Sequence, residues 1–123
     1  MTSLSSEKCV ACRQNSRRVS QIEIEQLKSQ IPEWNLLDDN DILKLNRTFK
    51  FQNYGAAAKF TWNVAMISEE EGHHPQIILE WGNVRIAWWT HTIKGLHRND
   101  FLMAAKTDEI FAQLSENCGI IRM

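Results

Sequence analysis

Hydrophobic positions along this chain switch between a helical period and a two-residue period, and the switches mark out seven elements. Ile24, Leu27 and Ile31 recur on one helical face, which predicts a first helix. Ser20 with Glu23 reads as its capping box, Val19 with Ile24 as its hydrophobic staple, and Pro32 as its stop. A strand is expected over residues 34–37, then the turn Asp38-Asp39-Asn40-Asp41. A second strand follows over 42–51, with Leu43, Leu45 and Phe49 on one side. Asn53 is a candidate N-cap for a long helix over 54–71 that carries Ala56, Ala57, Ala58, Phe60, Val64 and Ala65, and Gly72 ends it. A hairpin over 76–91 and a last helix over 99–117, with Phe101, Ala104, Phe111 and Leu114 in its apolar stripe, complete the order αββαββα. The expected fold is α+β, a four-stranded antiparallel sheet with helices packed on one face.

The second hairpin permits a register argument. With Gly82-Asn83 as a two-residue turn of the II′ kind, Trp81 faces Val84, Leu79 faces Ile86 and Ile77 faces Trp88. That face is apolar throughout and is assigned to the core. On the other face Glu80 meets Arg85, Ile78 meets Ala87, Gln76 meets Trp89, and His74 falls opposite His91. His73 points elsewhere locally but belongs to the same corner, 72–75, which Pro75 stiffens by holding His74 extended.

Glu69, Glu70 and Glu71 fill the last turn of the long helix, where the helix dipole disfavours each negative charge by about 0.3–1 kcal/mol. One explanation is a solvated acidic helix end. The other is chemical: Glu69 lies four residues before His73 and is placed to orient an imidazole or raise its pKa toward neutrality, where the ring both gives and takes protons.

Composition narrows the class. The 123 residues suit one domain. A formal net charge of -1 argues against a generic nucleic-acid binder, which needs a concentrated basic face. Hydrophobic content of 43% and charged content of 24% are those of a folded domain. No apolar run approaches the roughly 18 residues of a membrane span, so no membrane association is expected. Five Trp and four His are many for this length, and three of the Trp and all of the His lie between Glu69 and Asp100. Cys9 and Cys12 form a C-x-x-C without a second pair, and Cys118 stands apart, which suits a reducing, cytoplasmic compartment. Residues 1–19, with Lys8, Arg13, Arg17 and Arg18 against Glu7, read as a flexible N-terminal extension to a domain over 20–123.

The histidines admit a metal reading with Glu69 or Asp100 as a carboxylate ligand. Against it, adjacent His73 and His74 diverge on extended backbone, and no H-x-H, H-x-x-x-H or H-E-x-x-H spacing is present. There is also no Gly-rich phosphate loop and no G-x-S-x-G.

The run Glu69-x-x-x-His73-His74-Pro75, then Trp81, His91 and Asp100, set in EWGNVRIAWWTHTIKGLHRND, resembles the signature of the pterin-4a-carbinolamine dehydratases of bacterial type. The resemblance covers roughly Ser20 to the end of the last helix. It implies a hydro-lyase that dehydrates 4a-hydroxytetrahydrobiopterin to the quinonoid dihydropterin and water, in tetrahydropterin recycling beside an aromatic amino acid hydroxylase. No metal or organic cofactor is implied. By motif position His73 and His91 are the acid/base pair, and His74 holds the substrate at its carbinol side. Glu69 and Asp100 orient or tune the imidazoles, and Thr90 joins them as a substrate-binding or orienting residue. Trp34, also at a family position, either walls the flat pterin or packs in the core. Relatives are homodimers or homotetramers, and some serve as dimerisation cofactors of a transcription factor through a helical surface, the alternative function. Two positions depart from the family pattern: Trp89 stands where several members have Ser or Thr, and His97 where some have a Ser helix cap. His97 is therefore expected to be a surface residue, with His97→Ala leaving the rate almost unchanged.

Overall fold

A computed structural model describes residues 3–10 and 17–118, with side chains as far as residue 114. The predicted order of elements is present. Helix α1 spans Gln21–Lys28, strand β1 Asn35–Asp39 and strand β2 Ile42–Lys50. Helix α2 spans Tyr54–Glu71, strand β3 Gln76–Glu80, strand β4 Asn83–Trp88 and helix α3 Arg98–Cys118. The sheet is antiparallel in the order β1-β2-β4-β3. Helices α2 and α3 pack on it and on each other. No helix among the described residues is long and apolar enough to cross a membrane.

Local chemistry accounts for most of the boundaries. The Ser20 side chain accepts from the Glu23 amide and Glu23 reaches back to the Ser20 amide, a complete capping box. Asn53 caps α2 by accepting from the Ala56 amide at 2.8 Å. Asn40 and Asp41 both have positive φ (53° and 68°) and join β1 to β2 as a two-residue reversal, the conformation that Asn and Asp tolerate best after Gly. Leu45, Phe49, Val84, Ile86 and Trp88 point to the helices and are buried with Phe60, Phe101 and Phe111. The rings of Phe49, Phe60 and Phe111 meet at centroid distances of 4.7–5.8 Å, within the range of favourable aromatic pairs.

The second hairpin differs from its predicted register. Glu80 pairs with Asn83, Leu79 with Val84 and Ile77 with Ile86, so Trp81-Gly82 form the turn. The cause is β2, which sequence spacing within one hairpin leaves out: Lys50 pairs with Asn83 and Phe49 with Val84, drawing Asn83 into the ladder. Gly82 does not take the positive φ of a II′ turn, and its carbonyl accepts from the Phe51 amide at 2.9 Å. A two-residue shift preserves the faces, so Ile77, Leu79, Val84, Ile86 and Trp88 keep their predicted side. Trp81 does not: it is 75% exposed at the turn instead of facing the core.

The structure also places Trp34 and the start of the chain. Trp34 is fully buried beside Phe49, its indole N–H donating to Asp108 at 2.8 Å. Asp108 also receives Arg47 at 2.6 Å. Residues 3–10, assigned to an extension outside the fold, lie along α3. Leu4 is buried at 1% exposure, Lys106 donates to the Ser5 carbonyl, and Ser5 and Glu109 are hydrogen-bonded. An apolar residue at position 4, spaced to reach α3, supplies the anchoring that charge counting overlooked. Cys12 of the C-x-x-C lies outside the described residues, as does the side chain of Cys118.

Candidate active site

The site is assembled where α2 ends, β4 ends and α3 begins. Gly72 terminates α2 in the left-handed region at φ 68°, with the His73 amide donating to the Ser68 carbonyl and the Gly72 amide to Glu69, the two bonds of a Schellman motif. Any side chain at residue 72 is strained by that φ, although the space around it is open. Gly72→Ala is therefore expected to cost about 1–2 kcal/mol, readable as a lowered urea midpoint at an unchanged slope.

This reversal sends the two adjacent histidines to different partners. His73 turns inward, 9% exposed, and its Nε2 lies 2.7 Å from Asp100 Oδ1. Its ring stacks on Trp88 at 5.7 Å and an interplanar angle of 7°. Asp100, in the first turn of α3, is fully buried. Its other oxygen accepts from the Thr90 hydroxyl at 2.7 Å and from the His97 amide at 2.9 Å. Three converging donors suit a carboxylate, which only accepts. Asp100 thereby fixes the proton of His73 on Nε2 and leaves Nδ1 as the basic nitrogen of the ring.

His74 remains exposed, and its Nε2 lies 2.9 Å from Glu69 Oε1. The expected pairing of Glu69 with His73 is thus replaced by one with His74, because the left-handed Gly72 breaks the helical i, i+4 relation. His91 does not lie opposite His74 on a ladder either. Strand β4 ends at Trp88, and His91 opens a 3-10 turn, His91–Ile93, closed by the Thr90–Gly95 bridge. The His91 ring leans on Trp89 at 4.5 Å, and the Lys44 ammonium sits 3.9 Å over that same indole.

Although the route differs, the three histidines converge. His73, His74 and His91 line one pocket of about 240 Å³ together with Val10, Gly72, Thr90 and Thr92. Of the remaining sequence-predicted residues, Asp100 and Glu69 stand behind this wall as partners of His73 and His74, and Trp34 is not part of it. Sequence reasoning missed Val10, Thr92, and Trp88 as the floor beneath His73. The last had a signal, since a core-facing Trp at the end of the central strand must abut the residues that follow α2. Among the described residues no group of three His, Cys, Asp or Glu side chains is arranged to hold a metal ion.

His97 is more than a surface residue. Its Nδ1 accepts the Asn99 amide at 3.0 Å while its own amide donates to Asp100, so an imidazole takes the place of the Ser cap and completes a reciprocal box. Burial lowers the His97 pKa from its ordinary 6.5, the Asp100 charge opposes this, and His73 adds to the lowering. The folded state thus favours the neutral ring, the form with an acceptor at Nδ1. Between the folded pKa and 6.5 the unfolded chain binds more protons, so stability is complete above that window and falls as pH drops through it. Urea midpoints at about pH 7.5 and about pH 5 are expected to differ less in His97→Ser than in the parent protein. An equal difference would remove His97 from that account.

Residues 17–110 match the family described as Pterin 4 alpha carbinolamine dehydratase. A protein of Saccharophagus degradans is 49% identical over 111 residues, covering 90% of this chain and 98% of its own length. One of Nitrosococcus oceani is 47% identical over 110 residues, covering 89% and 97%; both bear the name "Putative pterin-4-alpha-carbinolamine dehydratase". A transcriptional coactivator/pterin dehydratase from Brucella melitensis superposes with a TM-score of 0.71 at 26% identity, over 76% of this chain and 98% of that one. With its order of elements, its clustered histidines and these matches, the chain belongs to the pterin-4-alpha-carbinolamine dehydratase family.

Proposed function

We propose that the chain dehydrates 4a-hydroxytetrahydropterin, releasing water and the quinonoid dihydropterin. The observation that carries this reading is the buried Asp100–His73 pair opening onto a pocket that His74 and His91 also line. The reaction needs a proton delivered to the departing C4a hydroxyl and a proton taken from N5. His73, with its proton held on Nε2 by Asp100, offers a basic Nδ1, and His91 supplies the second group of the acid/base pair. His74, steadied by Glu69, binds the carbinol side, and Thr90 holds Asp100 in place. Each positioned imidazole contributes about 10²–10⁴-fold by proton transfer. Recycling of tetrahydropterin beside an aromatic amino acid hydroxylase in the cytoplasm is part of the same proposal and rests on the family resemblance.

The test is dehydration of freshly generated carbinolamine, followed by ultraviolet absorbance. The protein is expected to exceed the spontaneous rate, and no acceleration would remove the reading.

A second role in protein binding is favoured by one feature. Tyr54, Trp62 and Met66 of α2 are all exposed, an unusual run of large apolar groups for a helix facing water. A helical surface of this kind suits a homodimer or homotetramer, or a partner protein; the Brucella relative is described as a transcriptional coactivator as well as a pterin dehydratase. Trp62→Lys is expected to shift the assembly toward monomers in equilibrium sedimentation while the carbinolamine rate per chain stays within about twofold.

A further inference from the structure

The N-terminal segment reaches the pocket from outside the part of the chain that matches the family, which begins at residue 17. Its course is fixed by specific bonds. Glu7 forms a two-pronged ion pair with Arg98, at 2.6 and 3.1 Å. The Cys9 amide donates to the Glu71 carboxylate at 2.8 Å. The Asn99 carboxamide then engages both polar groups of the Val10 backbone, donating to its carbonyl at 2.7 Å and accepting from its amide at 3.1 Å. Asn99 is buried at 2% exposure. Glu71 ends α2 and Asn99 lies in the first turn of α3; the segment therefore bridges the two helix ends that carry His73 and its partner Asp100.

The bridge places one particular side chain in the site. Among the described residues that line the pocket, Val10 is the one aliphatic side chain, the others being histidines, threonines and Gly72. It is 62% exposed, an apolar group left open to solvent at the rim of the pocket. A bicyclic heterocycle has apolar faces as well as polar edges, and an aliphatic side chain at the rim is placed to cover a face.

We propose that Val10 is a substrate-binding residue that packs against the pterin ring, and that Asn99 is the positioning residue that holds it there. The inference deepens the dehydratase reading and rests on it for the substrate class. It assigns the N-terminal segment a share in affinity, with no part in proton transfer. Val10→Asp is expected to raise KM for the carbinolamine about tenfold, as loss of one aliphatic contact does, with kcat within about twofold. Binding of 7,8-dihydrobiopterin, read by equilibrium dialysis, weakens by the same factor. Asn99→Leu removes the clamp: KM rises, hydrogen exchange at the Val10 amide accelerates, and Val10→Asp added to it has little further effect. Because Val10 is exposed, Val10→Asp and Val10→Gly fold as the parent does, and Val10→Gly reports loss of the contact without added charge. An active Val10→Asp enzyme with unchanged KM and unchanged dihydrobiopterin binding overturns the inference, as does a fall in kcat alone. If the parent protein binds dihydrobiopterin through Val10 but accelerates no dehydration, the wall stands and the assigned reaction fails.

Discussion

Asp100→Ala is expected to lose about 3–5 kcal/mol of folding stability, together with nearly all dehydration activity. The carboxylate is fully buried and receives three donors, from His73, Thr90 and the His97 backbone. Alanine leaves all three facing a void, and each unsatisfied buried donor costs about 1–3 kcal/mol before partial rehydration. Asp100→Asn separates the two effects. Its carbonyl oxygen still accepts from one side, so the stability loss shrinks to about 1–3 kcal/mol. Its amide N–H cannot accept from His73 Nε2, however. The imidazole must then move its proton to Nδ1, which removes the basic nitrogen that the proposed mechanism uses. A folded Asp100→Asn protein with a rate down by about 10²–10⁴ is the expected result, measured by urea unfolding beside the absorbance assay. Parent-like stability in the alanine variant would mean that the Asp100 network does not hold the α3 terminus to the sheet.

Much of this arrangement is written in local patterns. The Ser20 and Asn53 caps, the Gly72 stop and the inward set of β2 follow from residue chemistry within a few positions, and each is where the pattern puts it. The convergence of the histidines is legible because they flank elements that must meet at one end of the sheet. What fails is whatever depends on a third element. The β3–β4 register is decided by β2 through Asn83 and Phe49, so arithmetic on one hairpin misplaces the turn and buries Trp81 wrongly. The partners of the histidines fail for a related reason. A helical i, i+4 rule assigns Glu69 to His73, but one left-handed residue between them turns His73 toward α3 and gives Glu69 to His74. The position of His97 at a helix start suggests a surface residue, and only the geometry of that start reveals its ring as an acceptor. The N-terminal segment carries almost no periodic signal; a buried Leu4 and polar bonds to α2 and α3 hold it.

His73→Gln is expected to lower kcat by about 10²–10⁴ with little change in stability. Glutamine is the informative substitution because its amide can still donate to Asp100 while offering no nitrogen that takes up a proton at neutral pH. A large loss therefore reports proton transfer, whereas His73→Ala mixes that loss with an unsatisfied buried carboxylate and a cavity over Trp88. His91→Gln tests the opposite side of the pocket, where the ring leans on Trp89 in a more open setting. If the two imidazoles act in one concerted step, one giving and one taking a proton, the double variant should be scarcely slower than the worse single one. If they act in separate steps, only the rate-limiting one shows a full loss. A His73→Gln enzyme within about threefold of the parent rate would remove His73 from the chemistry, and would leave the Asp100 pair as a device for joining α2 to α3.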